Sequence, residues 1–187
     1  PVLSLFSFSI RRQDMLYVCD RKGEYTEAPK EVVLKEALKV SKKVFSSKKQ
    51  IMSKETAIHA IGAQLCGLEN EVIGCLFLNA PHKVLGWEIL FHGSVNKSYA
   101  YPRVVVQKAL QYNAAAIILA HNHPSGSIKP SRQDLALTGT LLQALEVIDV
   151  VVLDHLIVGD EIYSFADNGH IAKIRQRVSS NIWKGDM

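Results

Sequence analysis

The run Ala115-Ala116-Ile117-Ile118-Leu119-Ala120-His121-Asn122-His123-Pro124-Ser125-Gly126 is followed closely by Ser131-Arg132-Gln133-Asp134. Ala115 to Ala120 is continuously apolar, the composition of a strand covered on both faces, and such a strand needs a sheet with helices on each side. Pro124 and Gly126 then turn the chain, and Ser131-x-x-Asp134 opens a helix that runs to about Ile148. Downstream, Val150 to Val158 reads as a second buried strand and Ile162 to Phe165 as a third, after Gly159-Asp160. Upstream, Glu71 to Leu78 and Val84 to Phe91 are strand-like runs separated by Asn79-Ala80-Pro81-His82-Lys83, which predicts an antiparallel hairpin. Pro102 suits the first turn of a helix reaching about Tyr112.

Further out, Val33, Leu34, Ala37, Leu38, Val40 and Val44 recur at helical spacing, so Lys30 to about Ser46 is an amphipathic helix. Ser53 offers an N-cap oxygen for the next helix, which ends at Gly67. Residues 2 to 28 read as short strands, with Phe6, Phe8 and Ile10 alternating with Ser. Hairpins and strands interleaved with helices predict an α/β fold with a mixed sheet. The organisation expected is a β extension over 1–29, a Lys-rich helical lead-in over 30–69, a main domain over 70–170 and a tail over 171–187. No repeat, P-loop or GxGxxG fingerprint occurs.

His121 and His123, two apart on extended backbone at the end of a buried strand, project to the same side, so two imidazole nitrogens can converge on one point. Asp134, in the first turn of the next helix, can swing back as a third ligand. Two His and one Asp leave the fourth tetrahedral position of Zn²⁺ open for water, as in catalytic zinc sites. A second explanation serves Ser131 and Asp134 equally well: a capping box, in which both side chains satisfy backbone amides and no metal is needed. Spacing leaves both open, although two same-face histidines at a buried strand would be desolvated without a partner.

His121-x-His123, seven intervening residues, then Ser131-x-x-Asp134 resembles the JAMM motif of the MPN/JAB metallopeptidases. More narrowly, Ala120-His121-Asn122-His123-Pro124-Ser125-Gly126, Pro130-Ser131 and Leu153-Asp154-His155-Leu156-Ile157-Val158-Gly159 resemble the RadC family, from about Leu34 to Asn168 with Ser164-Phe165-Ala166 near the end. The resemblance implies an MPN/JAB-like (cytidine-deaminase-like) mixed sheet flanked by helices and a zinc-dependent hydrolase of peptide or isopeptide bonds. It implies His121, His123 and Asp134 as metal ligands and Ser131 as the hydroxyl that stabilises the oxyanion. It also implies a glutamate that handles the proton of the attacking water. Glu69, Glu71 and Glu88 are candidates by position, and Asn70-Glu71-Val72-Ile73-Gly74 resembles the family's catalytic-glutamate strand, which selects Glu71. His155 follows the RadC pattern and is expected to pack behind the site. The alternative function implied is a DNA-associated repair, recombination or mobile-element protein that keeps the metal fold as a scaffold. Full-length RadC proteins are expected to carry a helix-hairpin-helix domain, where the residues here before the matched region read as a β extension and a Lys-rich helix.

Composition narrows the classes. The chain has 187 residues, 48% of them hydrophobic and 21% charged, which suits one main domain of about 150 residues with a small extension and excludes a disordered or collagen-like chain. No apolar run approaches the roughly 18 residues of a membrane-spanning helix. Arg11-Arg12 follows the apolar opening rather than preceding it, so no export signal is read. Three cysteines without a CxxC pair suggest a reducing cytoplasm, and Cys66 and Cys75 are expected to be small buried hydrophobes. The net charge of +4 lies wholly in residues 1 to 70, which hold 12 Lys or Arg against 8 Asp or Glu. The segment Lys30 to Lys54 is thus either a solvated helix face or a DNA-contact surface. His59, His82, His92 and His170 lack partner spacing and are expected to be surface or packing residues. His121-Asn122-His123 spells HNH, but the nucleases of that name draw these residues from separate elements, and no H-x-E or PCxxC deaminase signature is present.

Overall fold

The structure, a computed structural model, describes residues 16–19, 22–46, 53–93 and 101–182. In chain order the elements are β1 (Tyr17–Cys19), β2 (Tyr25–Glu27), α1 (Lys30–Ser46), α2 (Lys54–Leu65), β3 (Val72–Leu78), β4 (Val84–His92), α3 (Pro102–Gln111), β5 (Ala116–Asn122), α4 (Arg132–Glu146), β6 (Val151–Val158), β7 (Ile162–Ser164) and α5 (His170–Ile182). Of the expected N-terminal strands, β1 and β2 form a two-stranded antiparallel hairpin, while Phe6, Phe8 and Ile10 lie outside the described residues. The other five strands make one mixed sheet in the order β4-β3-β5-β6-β7, in which only the β5–β6 pair is parallel.

Local chemistry sets the boundaries. Ser53, extended at φ −75°, accepts the Thr56 N–H through its side chain and starts α2. Beyond the last helical residue, Gly67 sits at φ +76°, where a side chain would be strained. Pro102 occupies the first turn of α3. β3 and β5 are buried at all seven positions each, as their apolar runs require.

The sheet has two covered faces. Ile73, Cys75, Phe77, Ile117, Leu119, Val152 and Ile157 face α3, α4 and α5 through Val105, Ala109, Leu141, Leu145 and Ile171. Val72, Leu76, Leu78, Ala116, Ile118, Leu156 and Val158 face α2 through Ala57, Ile61 and Leu65, with Val44 and Phe45 of α1 against the same core. This three-layer arrangement is the flanked mixed sheet expected. Residues 171–187, expected to be a tail, belong instead to α5 as far as Ile182; Ile171 is buried in the core and Ile174 packs against it. Helical spacing of those two apolar residues holds the segment down. Cys75 is buried, but Cys66 is exposed. Cys66 is the C-cap of α2, one residue past Leu65, where the buried face of that helix ends.

Candidate metal centre

β5 continues two residues beyond its apolar run, so His121 and Asn122 are strand residues and His123 follows directly. Alternation puts His121 on the same face as Ile117 and Leu119, under α4, and turns Asn122 to the α2 side. α4 begins beside this strand end, with Ser131 as its N-cap in a full capping box: Ser131 Oγ accepts the Asp134 N–H at 3.1 Å, and Asp134 Oδ2 accepts the Ser131 N–H at 2.7 Å. The other carboxylate oxygen, Oδ1, lies 3.3 Å from His121 Nε2. The capping box is therefore present, and it leaves the ligand reading of Asp134 open. One oxygen caps the helix and thereby aims the second at the histidines.

His121, His123 and Asp134 each offer a ligand atom, all within 4.8 Å of one another. The hydrogen bonds around them fix which nitrogens carry protons when the rings are neutral. His123 Nδ1 lies 2.7 Å from the Ser127 carbonyl oxygen, which can only accept, so Nδ1 is protonated and Nε2 carries a bare lone pair. Thr138 donates its hydroxyl proton to the Asp134 carbonyl at 2.7 Å, so its oxygen accepts from His155 Nδ1 at 2.7 Å. His155 Nε2 is then an acceptor, and His121 Nδ1 donates to it at 2.9 Å. His121 Nε2 is left bare and faces His123 Nε2, also bare, at 3.0 Å. With the rings neutral, two nitrogen lone pairs and a carboxylate oxygen converge. Such a cluster could hold a metal ion, and imidazole with carboxylate is a donor set that suits several divalent transition metals.

Protonation of His121 and His155 is disfavoured. Burial pushes the His121 pKa down to about 4, with Asp134 opposing and His123 adding to the shift. His155 is held well below the ordinary range, first by burial and then by His121 and His123. Both rings are neutral near pH 7, as ligation requires.

His155 reaches the site through a register shift. Ile117 pairs with Val152 but Ile118 pairs with Asp154, so Leu153 is an extra residue on β6. Val152 and His155 consequently share the α4 face although three positions apart, as a bulge allows. Behind His155, Phe165 packs at 4.7 Å between ring centroids. Asp154 accepts from the His155 and Ala166 amides at 2.7 and 2.9 Å and from the Ser164 hydroxyl at 2.5 Å. The Leu153-Asp154-His155 and Ser164-Phe165-Ala166 motifs are one knot that holds the His155 ring.

Among the glutamate candidates, Glu88 on β4 bonds Tyr112 Oη at 2.6 Å and Lys108 Nζ at 2.8 Å, which ties β4 to α3. Glu69 is exposed before β3. Glu71 is half-buried just ahead of β3, two residues before Ile73, the residue that pairs with His121. Alternation gives it the face of Ile73 and His121. His59, His82 and His92 are exposed, and His170 bonds Tyr163 at 3.0 Å. Lys30, Lys35, Lys39, Lys42 and Lys43 are exposed on α1, with Lys39 paired to Glu36, and Lys54 pairs with Asp167; Lys48 and Lys49 lie outside the described residues. The sequence reading missed Thr138, whose role shows only once β6 is set beside β5.

Among the described residues no helix is long and apolar enough to cross a membrane. Fold and site together define a mixed α/β domain with a His-His-Asp cluster at the end of its central strand. A family model described as the RadC-like JAB domain matches residues 51–170, and the chain belongs to this family. It is 59% identical over 91 residues to a UPF0758 protein of Pseudomonas fluorescens, covering 49% of this chain and 41% of that one. It is 55% identical over 101 residues to one from Azotobacter vinelandii, with 54% and 45% covered. A third relative, from Thioalkalivibrio sulfidiphilus, is 50% identical over 109 residues, with 58% and 49% covered. The chain spans about half the length of the curated relatives it matches or somewhat less.

Proposed function

We propose that this domain is a zinc-dependent hydrolase of peptide or isopeptide bonds that works on a peptide or protein substrate. The observation that carries the proposal is the convergence of ligand atoms from His121, His123 and Asp134 within 4.8 Å of one another. His121, His123 and Asp134 would hold the ion, and His123 and Asp134 are partly exposed, so the cluster is open to solvent and substrate. Zinc in such a site acts as a Lewis acid, polarising a carbonyl and lowering the pKa of water from about 15.7 toward 7.

The remaining work falls to this chain's own groups. Glu71, two residues before the Ile73 that pairs with His121, takes the proton of the attacking water on a carboxylate oxygen and passes it to the leaving amine. Ser131 Oγ uses an acceptor lone pair on the Asp134 amide, so its hydroxyl proton can point to the oxygen where charge develops. Capping and oxyanion stabilisation thus draw on different parts of one hydroxyl.

The test uses zinc-loaded protein and a panel of quenched-fluorescent peptides together with a lysine ε-amide conjugate. Turnover should disappear with a chelator and return with zinc. Glu71→Gln should keep one zinc per chain and lose at least a hundredfold in kcat. Retained turnover in Glu71→Gln removes it from the proton-transfer role, and chelator-insensitive turnover refutes the proposal.

A further inference from the structure

The residue between the two histidine ligands has no part in the chemistry above, yet its side chain is buried and fully engaged. Alternation sends Asn122 to the sheet face opposite the metal centre, where it is 3% exposed. All three of its side-chain bonds go to one short segment. Oδ1 accepts the Val72 N–H at 2.8 Å, and Nδ2 donates to the Asn70 carbonyl at 3.1 Å and to the Leu68 carbonyl at 3.3 Å. The amide orientation is dictated by the partners, since an N–H needs the oxygen and two carbonyls need the NH₂.

The segment so held leads from α2 into β3. Residues 66–70 are exposed, and the backbone turns at Gly67 with φ +76°. Its backbone tethers include the Cys66 N–H bond to the Gly62 carbonyl at 2.8 Å, a long Leu68 N–H bond to the Leu65 carbonyl at 3.5 Å and the Gly93 N–H bond to the Glu71 carbonyl at 2.8 Å. Asn122 bonds the residue on each side of Glu71, at Asn70 and at Val72. The backbone of Glu71 is therefore fastened to the strand that carries His121 and His123.

We propose that Asn122 is a positioning residue that locks Glu71 in register with the two histidine ligands. This inference rests on the hydrolase reading for its kinetic consequence, while its structural consequence stands without it. The metal-facing residues at 121 and 123 set the ligand points, and the residue between them sets where the base stands relative to those points. A planar amide with one acceptor and two donors meets all three backbone groups, which an alanine or an ionised aspartate cannot do.

The test compares Asn122→Ala and Asn122→Asp with wild type by zinc content, by hydrogen exchange of the peptide covering residues 68–74, and by kcat and KM on the fluorescent panel. In Asn122→Ala, exchange over 68–74 should rise at least tenfold with one zinc per chain retained, and kcat should fall about tenfold or more with KM nearly unchanged. Asn122→Asp keeps the acceptor for Val72 but turns a carboxylate oxygen toward the Asn70 and Leu68 carbonyls, so exchange over 68–74 should rise at least as far as in alanine, and whichever of the two variants folds carries the comparison. In a Glu71→Gln background, Asn122→Ala should cause no further loss of residual rate, whereas a merely structural role lowers both backgrounds alike. Unchanged exchange over 68–74, loss of zinc, or equal effects in both backgrounds overturns the proposal. If wild type shows no turnover, the hydrolase reading fails, and the exchange and zinc measurements still decide whether Asn122 anchors this segment independently of the ligands.

Discussion

Replacing Thr138 with Val removes one oxygen from the proton chain behind the metal centre and leaves the shape nearly unchanged. Thr138 is 1% exposed and sits between the Asp134 carbonyl and His155 Nδ1, at 2.7 Å from each. The Asp134 carbonyl keeps its ordinary helical environment on α4, but His155 loses the acceptor that fixes its proton on Nδ1. A buried N–H without a partner costs about 1–3 kcal/mol, which for a chain of this size lowers Tm by roughly 2–12 °C. The larger effect is on tautomers. His155 can then place its proton on Nε2, which makes it a donor toward His121 Nδ1 and drives the His121 proton onto Nε2, the ligand atom. Loss of such a supporting bond reduces metal affinity by about 10–100-fold. Zinc affinity is measured by competition with a chromophoric chelator at a temperature where the variant is fully folded, with Thr138→Ser as the variant that keeps the hydroxyl. Zinc affinity within twofold of wild type in folded Thr138→Val would refute the reasoning.

Other outcomes follow from the same geometry. His121 titrates at about 4 in the fold against an ordinary 6.5, so between those values the unfolded chain binds more protons and stability falls as pH falls; metal-free protein should lose about 3 kcal/mol from pH 7.5 to 4 through this group, read by denaturant titration against His121→Gln. Gly159→Ala would set a Cβ 2.3 Å from the Gly126 carbonyl oxygen and 2.9 Å from that of Ser127, which holds His123. Backbone must shift there, so a loss of about 1–3 kcal/mol is expected in thermal melts, with weaker zinc binding. Gly139→Ala is the contrast: its Cβ meets Ile174 at an ordinary 3.5 Å inside α4, and stability should rise by about 0.5–1 kcal/mol.

Much of this was legible in the residues themselves. The apolar run before His121 announces a doubly covered strand, and a two-residue spacing on such a strand can only place both rings on one face. Ser131-x-x-Asp134 was ambiguous because a carboxylate has two oxygens, and the sequence does not say that each can serve a different purpose. His155 and Thr138 were harder for a different reason. The ring faces His121 only because Leu153 is an extra residue in the β5–β6 register, and a one-residue shift leaves no trace in periodicity. Asn122 was hidden by its neighbours, since a residue between two ligands is read as a spacer until its partners 50 and more positions away are known. Cys66 was misplaced by composition, which does not mark where a buried helix face stops.

Whether His121, His123 and Asp134 hold a metal is decided most directly by X-ray diffraction collected on both sides of the zinc absorption edge from protein grown with zinc. One anomalous peak per chain is expected, bonded to His121 Nε2, His123 Nε2 and Asp134 Oδ1 and lost in His123→Ala. An ordered His121–His123–Asp134 cluster with no peak at full zinc loading would contradict it.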